Sequence, residues 1–150
     1  MAVFVGGTTS ANQLDDYEEG TFTPQMMSSS GGAANASYSV QSGKYVKVGN
    51  MCHLRWDITW SGWSNINATI IIDNLPFINQ GYSAIGGYGA PQFRDCSGLG
   101  SDIRIYGNSS YCAHNSNRIY CFKYNSSGTE GAASANSSGR VTGEAVFYVS

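Results

Sequence analysis

The stretch NQLDDYEEGTFTP, Asn12 to Pro24, packs Asp15, Asp16, Glu18 and Glu19 into five consecutive positions. Paired carboxylates cleave glycosidic bonds when one acts as acid and the other as base or nucleophile. That chemistry needs the two groups roughly 5 to 10 Å apart across the scissile bond. Residues adjacent in a chain rarely achieve this. Several oxygen ligands close together can also hold calcium weakly, but the spacing does not follow a calcium-binding loop. The remaining reactive types are Cys52, Cys96, Cys112 and Cys121, with His53 and His114. No Cys-x-x-Cys pair occurs, and two histidines are too few for a convincing zinc site. His114 lies near Cys112 and Cys121, but no acid is close in sequence and no nucleophile motif surrounds them. No catalytic residue, metal ligand or cofactor site is therefore assigned.

The elements that would position such residues are strands. The chain has 150 residues, 41% hydrophobic and only 12% charged, with 19 glycines and ten tyrosines. This is the composition of a single β-domain with one core. A formal net charge of -2 supplies no basic field for nucleic acid or an acidic membrane surface. No apolar run approaches the roughly 20 residues of a membrane span, and the start lacks the pattern of an export signal. Without that signal the cysteines are expected as reduced, mostly buried thiols. The Asn-x-Ser/Thr sequons at Asn35, Asn67, Asn108, Asn125 and Asn136 read as chance in so Asn- and Ser-rich a chain.

Alternation is clearest in MCHLRWDITW, where Cys52, Leu54, Trp56, Ile58 and Trp60 fall on one face. The preceding GKYVKVGN reads as a short strand joined to it through Gly49-Asn50. ATIIIDNLPF, SDIRIYG, NRIYCFKY and RVTGEAVFYV read as further strands. No segment has a sustained helical period, and the Gly/Ser-rich pieces at 28–37 and 126–139 read as loops. The pattern predicts an all-β, antiparallel β-sandwich or jelly roll.

GGTTSANQLDDYEEGTFTP, followed by GKYVKVGNMCHLRWDITW and NLPF, resembles a C-terminal module of bacteriophage tail fibres and related virion surface proteins. The resemblance covers roughly the first 77 residues. It implies a homotrimer behind a fibre shaft, with residues 1–24 as the shaft-to-head connection and 25–150 as a single head domain. It implies a location on the virion, at a tail-fibre tip, after assembly in the bacterial cytoplasm. The partners implied are further copies of the chain, the rest of the shaft, and a bacterial surface saccharide or outer-membrane protein. Phe22 and Pro24 would set the approach to the first strand. A structural virion protein without a ligand is the alternative, and a depolymerase is disfavoured because no separated acid pair is evident.

Aromatic rings stack on sugar faces while Asn, Asp and Ser bond the hydroxyls. Trp56 and Trp60 belong to the core by their position. Trp63, in the turn SGWSN, is a receptor-binding candidate. So are Tyr82, Tyr88 and Phe93 in the glycine-rich stretch INQGYSAIGGYGAPQFRDCSGLGS, read as one long loop. Tyr106, Tyr111 and His114 complete the set around YGNSSYCAHNSN, read as a hairpin end.

Overall fold

Strand Met51–Ser61 buries every second residue, with Cys52, Leu54, Trp56, Ile58 and Trp60 inward, as its alternation predicts. A two-residue loop, Gly49-Asn50, joins it to the strand before, and Val48 pairs with Met51 across the turn. Gly49 has φ 58, so glycine is required at the first loop position, the arrangement of a type II′ turn. The partner strand is longer than the alternation suggested. It runs over Ser37–Val48 and absorbs a bulge between Tyr38 and Val40.

The computed structural model describes residues 3–4, 13–14, 16–30, 32–33, 35–64, 69–80, 89–99, 110–124 and 126–149. In chain order the strands are β1 (Val3–Phe4), β2 (Gln13–Leu14), β3 (Tyr17–Phe22), β4 (Gln25–Ser28), β5 (Gly32–Ala33), β6 (Ser37–Val48) and β7 (Met51–Ser61). They continue as β8 (Ile70–Asp73), β9 (Ala90–Cys96), β10 (Tyr111–Cys112), β11 (Ile119–Tyr124), β12 (Glu130–Ala132) and β13 (Gly139–Tyr148). No helix occurs among the described residues, and every strand pairing is antiparallel.

One sheet has the order β3-β6-β7-β13-β9; the other runs β10-β11-β8-β4-β5, with β12 beside β11. Their facing side chains form one core, with Leu54, Trp56, Ile58, Trp60, Val141 and Phe147 from the first sheet and Met26, Ile70, Ile72 and Ile119 from the second. The fold is an all-β antiparallel sandwich, as the composition and alternation predicted.

Three sequence readings need correction. Residues 90–96 are not loop but strand β9, which among the described residues lies at the sheet edge beside β13 and so accommodates Pro91. The pieces at 28–37 and 126–139 contain the short strands β5 and β12. Tyr17–Phe22 is a strand of the sheet rather than a lead-in to it, because its glycine makes room for an aromatic ring instead of ending the run. The strand expected in SDIRIYG lies outside the described residues.

All four cysteines are free and buried. Burial pushes the Cys52 thiol up to about 11 and Cys112 to about 12, and raises Cys121 further. In the unfolded chain these thiols ionise near their ordinary value, so the folded state holds more protons once the pH passes about 9. Stability therefore falls with rising pH across that window, by up to about 1.4 kcal/mol per pH unit per thiol. The melting temperature should stay level through neutral pH and drop between about pH 9 and 11. Alanine at Cys112 and Cys121 should flatten the drop; an unchanged profile would count against their burial.

Candidate functional site: the outer face of the five-stranded sheet

The acidic stretch forms β3 at the edge of this sheet, and its even-numbered residues lie on the inward side. In the β3–β6 ladder Gly20 lies opposite Tyr45, and Phe22 opposite Gly43. Each ring covers the facing glycine: a Cβ on Gly20 would stand 2.7 Å from the Tyr45 hydroxyl oxygen, and one on Gly43 would enter the Phe22 ring. The same face carries Asp16, which accepts from Lys47 Nζ at 2.5 Å, and Glu18, which accepts from the Tyr45 hydroxyl at 2.5 Å. The Glu18 carboxylate keeps the proton on that phenol, raising its pKa. Tyr45 also meets Phe77 edge-on, with centroids 5.1 Å apart. On the opposite face the Tyr17 hydroxyl donates to Glu19 at 2.8 Å. Asp16, Glu18 and Glu19 thus each have a partner within the sheet, and their arrangement fixes strand register. Asp15 lies outside the described residues.

The outer face of the same sheet is graded. Tyr17, Val48, Met51 and Tyr148 stand in one cross-strand row, and all four are exposed, Tyr148 at 53%. Val46 and Val146, exposed as well, flank His53 in the next row. Farther along, the face becomes charged. A cavity of about 830 Å³ is lined by Arg55, Asp57, Arg94, Asp95, Arg140 and Glu144, with Trp56, Gln92 and Phe93 contributing. A neighbouring depression of about 420 Å³ includes Lys44 and His53 and shares Arg55.

A β-bulge shapes the larger groove. Thr142 pairs with Asp95 but Gly143 pairs with Phe93, which leaves Arg94 as the extra residue. Such bulges re-aim side chains at sheet edges. Gly143 has no room for a side chain, since a Cβ there would lie 2.5 Å from both the Gln92 carbonyl oxygen and Trp56 Cζ2. The Arg140 guanidinium donates twice to Asp57, at 3.0 and 2.8 Å, and that carboxylate raises the Arg140 pKa. His53 Nε2 lies 3.2 Å from Glu144 Oε2. Asp95 accepts from the Ser97 amide at 3.0 Å. Among the described residues, Arg55 and Arg94 make no hydrogen bond or ion pair through their guanidinium groups.

The residues singled out from sequence are dispersed. Trp63 is not presented to a ligand: it is 3% exposed and meets Trp60 edge-on at 6.3 Å. Its amide donates to the Ser137 carbonyl, so a contact distant in sequence draws the turn into the core. Phe93 stands on β9, half-buried, with its ring 5.8 Å from Trp56 at 74°. Tyr111 is half-buried and stacks on Tyr120 and Phe122 in a near-parallel row. His114 is exposed in the loop between β10 and β11, the hairpin end expected there. Tyr82, Tyr88 and Tyr106 lie outside the described residues. Apart from Phe93, the groove residues escaped sequence reading because β7, β9 and β13 supply them from distant parts of the chain. The one local signal was the run of charged residues on the polar face of β7.

No protein-family model matches the chain, and no curated protein sequence does. Among solved structures, the Dettilon tailspike protein (gp208) has the same fold over 89% of this chain, with a TM-score of 0.65 and 13% identity. The matched part is 24% of the tailspike chain. At that identity the likeness establishes a shared architecture.

Proposed function

We propose that the chain is a head domain of a bacteriophage tail fibre, borne on the virion as a homotrimer, and that it binds the host surface without cleaving it. The observation that carries this reading is the fold shared with a tailspike protein across nearly the whole chain. The graded sheet face supports the trimer. An exposed apolar row of Tyr17, Val48, Met51 and Tyr148 is of the kind that covers itself in an oligomer. It lies where β3 begins, so three copies gathered on a shaft would meet there first. Three weak sites on one fibre would then bind a repetitive surface with avidity. The carboxylates of the β3 stretch support binding over hydrolysis, since each described one is already engaged by a neighbour.

The test is adsorption of the fluorescently labelled chain to a panel of bacterial strains, with its mass measured by light scattering. The expected result is three times the chain mass, with saturable adsorption to a subset of strains and none to the rest. Adsorption to no strain, or to all equally, contradicts receptor recognition. A stable monomer contradicts the trimer.

A further inference from the structure

We infer that the groove at the β9–β13 bulge is the binding site for an uncharged saccharide; this rests on the host-recognition reading and names the ligand class. Its volume, about 830 Å³, lies within the roughly 300 to 1,000 Å³ of small-ligand sites. Its lining mixes donors and acceptors evenly. Arg55, Arg94 and Arg140 line it together with Asp57, Asp95 and Glu144, and their formal charges cancel. Arg140 and Asp57 already neutralise one another through two hydrogen bonds. An anionic polymer would gain attraction from the two unpaired arginines but meet repulsion from Asp95 and Glu144. A sugar hydroxyl both donates and accepts, so it pairs with either kind of group.

The backbone that carries these groups is set by the sheet and the bulge. Arg94 is placed by the bulge, and its neighbour Phe93 is anchored against Trp56 on the inward side of the sheet, which holds the edge strand under the groove in place. Trp56 borders the groove from below, with its indole on the inward side of β7. Neither Trp60 nor Trp63 lines the groove. A change in tryptophan emission on binding therefore reports on Trp56.

The experiment titrates the chain with a glucan, a mannan and a galactan, and with hyaluronate and polygalacturonate as anionic counterparts, while following tryptophan emission. At least one neutral polymer should shift the emission saturably, with an affinity changing less than about twofold between low and high salt, since no net charge is screened. Arg55→Ala/Arg94→Ala should melt like the native chain and bind at least about tenfold more weakly. Binding confined to the anionic polymers and lost in salt would overturn the assignment, as would no binding to any polymer or unchanged binding by the double variant. Strain adsorption separates the two claims. If the double variant adsorbs as the native chain does, the groove is not the receptor site but host recognition stands; if the native chain adsorbs nowhere, host recognition itself fails.

Discussion

Trp56→Ala should lower the unfolding free energy by about 3 to 5 kcal/mol, the range for truncating a buried aromatic residue. Trp56 is 4% exposed on β7, the central strand of its sheet, between β6 and β13. Its indole lies under Gly143 and against Phe93, so removal leaves a void bounded by a glycine that cannot fill it. The loss is one of packing alone, because its Nε1 has no acceptor among the described residues. Trp56→Phe therefore separates the two contributions: it sheds part of the ring but also the orphan donor, and should cost less than about 1.5 kcal/mol. Urea denaturation of both variants is the check. A Trp56→Ala chain as stable as the native one would mean that the inward face of Met51–Ser61 is misassigned.

Gly43→Val sets local propensity against packing. Valine favours a strand and glycine weakens one by roughly 0.5 to 1 kcal/mol, so propensity alone predicts a gain. Yet a Cβ at position 43 would enter the ring of Phe22, its directly opposed neighbour on β3. Phe22 packs against the core and is followed two residues later by the buried Pro24, so the ring has little freedom to retreat. Overpacking of this kind costs about 1 to 3 kcal/mol, and the variant should melt at a lower temperature. Phe22→Ala in the same chain vacates the space, and the double variant should recover most of the valine penalty relative to Phe22→Ala alone. A Gly43→Val chain that melts higher than the native one would show that the ring–glycine pairs do not set the β3–β6 register.

These two sites mark what could be read from sequence. β7 was legible because one of its faces is wholly buried, which writes a period of two into residues 52 to 60. The Gly49-Asn50 turn was legible because its conformation is local. β3 and β9 were not, since Gly20 and Pro91 usually interrupt strands. They are tolerated here because Tyr45 covers the glycine and because β9 lies at a sheet edge. Trp63 stands in a turn of small polar residues that gives no local sign of its packing partner, and the Trp60 ring and the distant Ser137 carbonyl hold it inward. The groove depends on a bulge that offsets β9 against β13 by one residue, a register that neither strand specifies alone.

The most direct test of host recognition without cleavage uses envelope polysaccharide purified from a strain that the labelled chain coats. Retention of the chain and the concentration of reducing ends would be measured together over a day. Saturable retention with a flat reducing-end signal is the predicted result. No retention of the chain by the polysaccharide would contradict recognition of a surface saccharide, and reducing ends that accumulate in proportion to the chain added would contradict binding without cleavage.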